Sequence, residues 1–152
     1  MTSAVPILRP LAAEDLETVV EIDRRITGTS RRGFYEKRLA AAIREPKAFF
    51  AVAAIEGGAV AGFVFAHLQD GEFGNNAPIA VLDSVGVIPE ARGRGVARAL
   101  MAGLEDTLKA RNVTEIQTEA GWAEHDLVEF FAAAGFDLAP RLVLERGTAA
   151  DF

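Results

Sequence analysis

VLDSVGVIPEARGRGVARAL, residues 81–100, is the most informative part of the chain, and it reads as a strand, a proline turn, a loop of Arg and Gly, and a helix start. About four backbone N–H groups at a helix start lack intrahelical partners, and with the helix dipole they attract anions. Gly93 and Gly95 let a phosphate approach the backbone without a clash against a Cβ atom. The segment therefore predicts a phosphate-binding loop.

Three arginines add positive charge to this loop, namely Arg92, Arg94 and Arg98. They would repel one another unless a highly charged anion bound among them. The segment lacks the Lys-Ser or Lys-Thr of a P-loop, and Arg98 stands where the dinucleotide fingerprint needs a third glycine. The spacing that remains is R-x-x-G-x-A, formed by Arg92, Gly95 and Ala97.

Hydrophobic periodicity around this segment predicts a succession of strands and helices. Strands are expected at residues 5–9, 48–56, 59–69, 79–87, 113–119, 136–138 and 141–146. Helices are expected at residues 12–26, 34–44, 95–111 and 124–134. Pro10 is expected to end the first strand, and the pair Gly57-Gly58 predicts a tight hairpin turn. An antiparallel meander followed by a β-α-β unit predicts an α+β fold, a mixed α/β three-layer domain.

Length and composition exclude several classes of protein. The 152 residues suit a single domain, half of them are hydrophobic, and the longest apolar runs are far shorter than the ~20 residues that span a bilayer. Because residues 1–10 also lack a secretory apolar region, we expect a soluble, cytoplasmic protein with no membrane partner.

The net charge and the scarcity of Cys and His limit which metals and macromolecules the protein is expected to bind. The chain has no cysteine, and the two histidines, His67 and His125, are isolated, so we expect no metal cofactor. The net charge of −6 disfavours a nucleic-acid partner and favours cationic partners such as amines or basic peptides.

The spacing Arg92, Gly95 and Ala97 resembles the pyrophosphate-binding signature Q/R-x-x-G-x-G/A of the GNAT superfamily of acyl-CoA-dependent N-acyltransferases. The order of elements is similar across nearly the whole chain, and FFAAAGF, residues 130–136, looks like the family's Y-x-x-x-G-F. The resemblance implies a single GNAT-type domain over residues 1–152, with a mixed sheet of about six or seven strands and about four helices. It also implies transfer of an acetyl group from acetyl-CoA to a primary amine of a small molecule or protein.

The resemblance also implies which residues bind the cosubstrate. The pantetheine arm would pair with the backbone of Val85, Gly86 and Val87, where the signature strand and the next strand splay apart. Gly86 suits a closely approaching ligand because it has no side chain. An N–H group near Val87 would polarise the thioester carbonyl. The pyrophosphate would be held by Arg92, Gly93, Arg94, Gly95, Val96, Ala97 and Arg98.

Two carboxylates compete for the role of general base, because an aliphatic amine is mostly protonated at neutral pH. Glu119 ends the strand after the signature helix, where several N-terminal acetyltransferases of the superfamily resemble it with a catalytic Glu. Asp83 alternates with Val81, Val85 and Val87, and an apolar face of this kind would make it a stronger base. Both remain candidates, and geometry narrowly favours Glu119.

The chain departs from the family pattern at two positions. Phe131 stands where a tyrosine commonly protonates the departing thiolate, and Glu124 replaces a common Asn. Solvent, or Tyr35 if it reaches the sulfur, would then supply the proton. An alternative function follows from this loss, an acyl-CoA-binding module with little or no catalytic activity. A homodimer formed through exposed strand edges is also possible, and the basic loop with Arg31 and Arg32 is a candidate flank of the acceptor site.

Overall fold

The computed structural model describes residues 5–149 and divides the chain into two compact units, with the division between Glu119 and Ala120. In the first unit the strands are β1 (Ile7–Pro10), β2 (Phe49–Glu56), β3 (Ala59–Gln69), β4 (Ile79–Val87) and β5 (Ile116–Gln117). Its helices are α1 (Leu16–Thr27), α2 (Arg32–Arg44) and α3 (Val96–Ala110). The second unit contains α4 (His125–Ala133).

The sheet of the first unit has five strands in the order β1-β2-β3-β4-β5. The first four pair antiparallel, and β5 pairs parallel to β4, as the meander followed by a β-α-β unit predicts. Gly57 and Gly58 have φ angles of +57° and +80°, the left-handed values that a two-residue hairpin turn requires. The predicted hairpin is confirmed.

Pro10 is the last residue of β1, so the prediction that the strand ends at this proline is confirmed, although the strand spans Ile7–Pro10 and not residues 5–9. It pairs with Val52, and the next N–H group, that of Leu11, donates to the carbonyl of Ala51. Because successive residues of a strand direct their N–H positions to opposite edges, the nitrogen of Pro10 faces away from β2. An edge strand tolerates a proline in that orientation.

The core fills both faces of the sheet. On one face, Tyr35 of α2 packs against the rings of Phe63 and Phe65 of β3, with ring centroids 5.7 and 5.6 Å apart. On the other face lie the buried leucines of α3, Leu100 and Leu104. Each such side chain contributes about 1.5–3 kcal/mol on burial, so the sheet is held between α1 and α2 on one side and α3 on the other.

A β-bulge interrupts β4 at Asp83. Ser84 pairs with Phe65 while Leu82 pairs with Ala66, so two residues of β4 oppose one step of β3. The bulge turns both Asp83 and Ser84 towards α2, where each has a hydrogen-bond or ion-pair partner. The predicted alternation of Asp83 with Val85 was therefore wrong, because the extra residue moves the following part of the strand by one position.

The parallel strand β5 is shorter than residues 113–119. It pairs only over Ala80 with Ile116 and Val81 with Gln117. One further contact follows, in which the hydroxyl of Thr118 donates to the carbonyl of Leu82 at 2.9 Å. Within the described part of the first unit, β4 has no strand partner on this edge beyond that contact.

In the second unit, α4 ends as predicted, because Gly135 follows it with a φ of +93°. The predicted strands at 136–138 and 141–146 are absent from the part of this unit that is described, so the sheet has five strands and not six or seven. An alternating sequence forms a strand only when a neighbouring strand supplies ladder hydrogen bonds, and neither segment has one there. Leu138, Leu142 and Leu144 are exposed. No helix within residues 5–149 is both long and apolar enough to cross a bilayer.

Candidate active site

The edge of β4 beyond the bulge offers unpaired backbone groups. The N–H of Ile88 donates to the carbonyl of Ala61 on β3 at 2.9 Å. Since successive residues face opposite edges, Gly86 also directs its polar groups towards β3, whereas Val85 and Val87 direct theirs to the other edge. Below the bulge that other edge carries β5. The backbone of Val85 and Val87 is therefore placed to bond an extended ligand in the position of a strand.

Gly86 is required by packing. A Cβ atom at this position would come within 2.8 Å of the Phe63 ring and 3.3 Å of Ile26. The sequence prediction attributed this glycine to a closely approaching ligand, but the space above its Cα is filled by protein side chains. A ligand on this strand would bond to its edge and would not lie on the face where Gly86 packs.

The loop before α3 is open around its glycines. Gly93 and Gly95 have φ angles of +79° and +81°, and a Cβ atom on either would meet nothing within 4 Å. Gly95 is the N-cap of α3, no side chain caps the helix, and its first turn contains no acidic residue. The side chain of Val96 is buried, which leaves only its backbone to face the loop. These features fit a bound anion at the helix N-terminus.

The three arginines of this loop have different surroundings. Arg94 donates to the carbonyl of Glu90 at 2.8 Å and lies 3.7 Å from the carboxylate of Glu56. Arg92 and Arg98 are exposed and have no ion-pair partner among residues 5–149. Arg94 therefore anchors the loop to the β2–β3 hairpin, while Arg92 and Arg98 remain available for a phosphate.

Asp83 belongs to a polar cluster and not to an apolar face. Its Oδ2 lies 2.7 Å from Nδ1 of His67, and its Oδ1 lies 3.6 Å from the guanidinium of Arg38 on α2. The amide nitrogen of Gln69 lies 3.3 Å from Nε2 of His67. The side chains of Asp83 and His67 are 9% and 15% exposed, so the cluster lies at the surface of the core and within reach of solvent.

Ser84, the next residue, belongs to a second cluster. Its hydroxyl lies 3.2 Å from that of Tyr35, which donates to Asp23 at 2.9 Å. Arg31 pairs with both oxygens of Asp23. Burial raises the pKa of the Tyr35 hydroxyl, and the hydrogen bonds to Asp23 raise the pKa of Arg31. A fully buried phenol of raised pKa is a poor proton donor, which weakens the hypothesis that Tyr35 protonates the thiolate.

The loop arginines Arg31 and Arg32 are paired, with Asp23 and Glu17 respectively, so the predicted basic acceptor loop carries no unpaired arginine. Glu119 lies two residues beyond the end of β5, next to Thr118, and is exposed. Thr118 contacts Leu82, and each of them is directly followed in the sequence by a candidate carboxylate, Glu119 and Asp83 respectively.

The remaining candidates lie in the second unit. Phe131 packs against Phe130 and Phe136, with ring centroids 5.4 and 5.1 Å away. Glu124 accepts a hydrogen bond from the N–H of Gly121 at the start of α4. Trp122, three residues before α4, is exposed.

Two contacts of these clusters had no signal in the sequence. Arg38 reaches Asp83 from another element, and Ser84 faces α2 only because of the bulge. Asp23 did have a signal, because its position follows the helical period of the buried residues of α1.

The described site combines a bulged strand that has an open edge with a loop of Gly and Arg at a helix N-terminus. This arrangement agrees with the GNAT resemblance of the spacing Arg92, Gly95 and Ala97. The model of the acetyltransferase (GNAT) family matches residues 14–136, and the chain belongs to this family. The expectation of a GNAT fold is confirmed, with fewer strands than expected.

Solved structures share this fold at low sequence identity. An aminoglycoside 6'-N-acetyltransferase of Acinetobacter haemolyticus has a TM-score of 0.80 and 17% identity, covering 95% of this chain and 99% of that one. An aminoglycoside N-acetyltransferase solved with CoA has a TM-score of 0.72 and 19% identity, covering 94% and 100%. A ribosomal-protein-alanine N-acetyltransferase of Brucella melitensis has 0.73 and 18%, covering 93% and 99%. No curated protein sequence is significantly similar to the chain.

Proposed function

We propose that residues 1–152 form one catalytic domain that transfers an acetyl group from acetyl-CoA to a primary amine of a small molecule or protein. The observation that carries the proposal is the unpaired edge of β4 at Val85 and Val87 leading into the open loop at Gly93 and Gly95. Family membership supports an acyltransferase. The structures with the same fold include aminoglycoside N-acetyltransferases and a ribosomal-protein-alanine N-acetyltransferase, which supports an amine acceptor as a class.

The proposed cosubstrate site has two parts, the backbone edge of β4 and the loop at the start of α3. When bound, acetyl-CoA supplies an acyl group activated as a thioester. The backbone of Val85 and Val87 bonds the pantetheine amides, and an N–H near Val87 polarises the thioester carbonyl. The pyrophosphate lies at the first turn of α3, held by backbone N–H groups of Val96 and Ala97 and by Arg92 and Arg98. In this proposal Gly93 and Gly95 keep the space open and Arg94 orients the loop.

The acceptor amine must lose protons for the amide to form. Glu119 and Asp83 are the two carboxylates proposed for this step. Thr118 contacts Leu82, and Glu119 and Asp83 are the residues that directly follow these two in the sequence. A thiol with a pKa of about 8.5 leaves readily as a thiolate, so Phe131 in place of a tyrosine is compatible with turnover. The net charge of −6 favours a cationic acceptor.

Turnover separates the proposed enzyme from an acyl-CoA-binding module. The experiment is a panel of amines and peptides with acetyl-CoA, scored by release of free thiol. The proposal expects at least one acceptor to release thiol well above buffer hydrolysis. Binding of acetyl-CoA without release above hydrolysis for any acceptor would favour the binding module. We also propose a cytoplasmic location, because the proposed reaction consumes acetyl-CoA. The homodimer stays a prediction, and sedimentation velocity would test it.

The cosubstrate site is tested by a matched pair of substitutions at Gly95. Asp and Asn have similar size and both tolerate the left-handed backbone found there. We expect Gly95→Asp to abolish CoA binding, because its charge occupies the place of the phosphate, while Gly95→Asn retains measurable binding. Calorimetry measures both, with thermal unfolding as the check on folding. Binding by Gly95→Asp within about threefold of wild type would mean that the phosphates lie elsewhere.

A further inference from the structure

We infer that Arg25 of α1 is a positioning residue for the cosubstrate, because its ion pair with Glu90 holds the turn that leads into the loop of Gly93 and Gly95. The inference rests on the cosubstrate site of the proposed function, in which that loop binds the pyrophosphate. Arg25 and Glu90 are 65 residues apart in the sequence, so no local pattern indicates that they meet.

The backbone of the loop is held at its two ends. Before the glycines, the N–H of Arg92 donates to the carbonyl of Pro89 at 3.3 Å. After them, the N–H of Ala99 donates to the carbonyl of Gly95 at 2.9 Å. Gly93 and Gly95 have left-handed φ angles, and glycine loses more conformational freedom on ordering than any other residue. Contacts that restrict this loop before the ligand binds therefore favour binding.

Arg94 supplies such contacts from within the loop. Its Nη2 donates to the carbonyl oxygen of Glu90 at 2.8 Å. Its Nη1 lies 3.7 Å from the carboxylate of Glu56, the last residue of β2. Because the closer of these contacts is to a backbone atom of the turn Pro89–Ala91, the position of Arg94 depends on where that turn is held.

The side chain of Glu90 connects this turn to α1. Nη2 of Arg25 donates to its Oε1 at 2.6 Å. Arg25 belongs to the last turn of α1, and the nearby residues Ile22 and Asp23 of the same helix are buried. The helix is therefore fixed in the core. Glu90 contacts α1 through its carboxylate and the glycine loop through its carbonyl.

The exposure of this ion pair indicates a role in binding more than in stability. The side chains of Arg25 and Glu90 are 36% and 60% exposed. Exposed pairs of this kind contribute little to the free energy of unfolding. A loop with two glycines has few other side-chain contacts to hold it, so a small restriction has its main effect on the ligand that the loop binds.

A positioning role and a purely electrostatic role predict opposite results at Glu90. If Arg25 attracted the phosphates by its charge alone, removal of Glu90 would strengthen CoA binding, because a carboxylate near the loop repels an anion. If the pair positions the loop, removal of either partner weakens binding, and removal of both weakens it no further than one removal does.

The experiment is a double-mutant cycle of Arg25→Ala, Glu90→Ala and the double variant, with CoA binding measured by calorimetry. We expect each of the three to raise Kd by about two- to fivefold, since the pair is exposed. The KM for acetyl-CoA should rise by the same factor while kcat at saturating acetyl-CoA stays unchanged. Arg25→Lys keeps the charge and should restore most of the affinity.

The matched control is Arg24→Ala. It removes the same charge from the neighbouring residue and an ion pair of the same 2.6 Å length, but the partner, Glu21, belongs to α1 itself. Because this pair does not reach the loop, the control should bind CoA as the wild type does. Thermal unfolding checks that every variant is folded.

Tighter CoA binding by Glu90→Ala would overturn the inference, as would a double variant whose loss is the product of the two single losses. An equal loss in Arg24→Ala and Arg25→Ala would also overturn it. These results leave the proposed function standing. A wild type that binds CoA and acetylates no amine would overturn the proposed function alone, because calorimetry still measures the role of Arg25. A wild type that binds no CoA would overturn both.

Discussion

The two polar clusters at the β4 bulge differ in how completely the protein encloses them. Ser84 joins Tyr35 and Asp23, which are buried in the core between α1, α2 and the sheet. Asp83, one residue earlier, joins His67, and both retain some exposure. Two neighbouring residues at one bulge thus belong to a buried network and to a partly exposed network.

Physical cost explains the difference. A buried carboxylate is tolerated only when hydrogen bonds and an opposite charge replace its water, and Asp23 receives both from Arg31 and the hydroxyl of Tyr35. Such a network leaves no group able to exchange protons with a substrate. In the Asp83 cluster, by contrast, Nε2 of His67 has only a long contact of 3.3 Å with the amide nitrogen of Gln69.

The largest expected effect comes from opening the buried cluster. Asp23→Ala leaves the Tyr35 hydroxyl and the Arg31 guanidinium without their acceptor, and we expect the free energy of unfolding to fall by about 2–4 kcal/mol. Urea denaturation measures it. The matched control is Glu21→Ala, which removes an exposed ion pair with Arg24 and should leave the unfolding midpoint almost unchanged. Equal effects of the two substitutions would mean that the cluster contributes nothing particular.

The second prediction uses pH on the same cluster. Tyr35 is the one tyrosine of the chain, so tyrosinate absorbance reports it alone. Because burial raises its pKa in the folded state, its contribution to stability is complete below the unfolded value of about 10 and is lost as pH rises further. We expect tyrosinate to appear above pH 10 together with unfolding by circular dichroism. Ionisation near pH 10 with the fold intact would contradict the buried assignment.

The smallest effect on stability is expected at the partly exposed cluster. Arg38→Ala removes a partly exposed ion pair with Asp83 and a contact with the Phe34 ring 5.3 Å away. We expect a loss of less than about 1 kcal/mol in the free energy of unfolding, measured by urea denaturation. Arg44→Ala, which removes an exposed pair with Glu45, is the control and should leave the unfolding midpoint unchanged. A large loss of stability in Arg38→Ala would mean that the Asp83 cluster stabilises the fold as the cluster of Tyr35 and Asp23 does.

Local chemistry explains what could be predicted from the sequence. The hairpin required only the pair Gly57-Gly58 between two β-rich runs, and the anion loop required only Gly93 and Gly95 before a helix. Both depend on backbone preferences of a few consecutive residues. The resemblance to the family rests on the same short spacing together with the order of elements, which explains why it identified the fold despite low identity to the solved structures.

Tertiary structure decided the features that depend on residues far apart in the chain. The bulge at Asp83 exists only as a mismatch between the registers of β3 and β4, and it turns Ser84 to the face on which Tyr35 lies. Periodicity within one strand cannot reveal such a mismatch. The contact of Asp83 with Arg38 joins a strand and a helix that are far apart in the chain. The length of β5 and the absence of strands at 136–138 and 141–146 likewise depend on pairing. The sequence by itself determined the helices, the hairpin turn and the left-handed glycines before α3, because these follow from local preferences, while strand pairing decided which side chains meet.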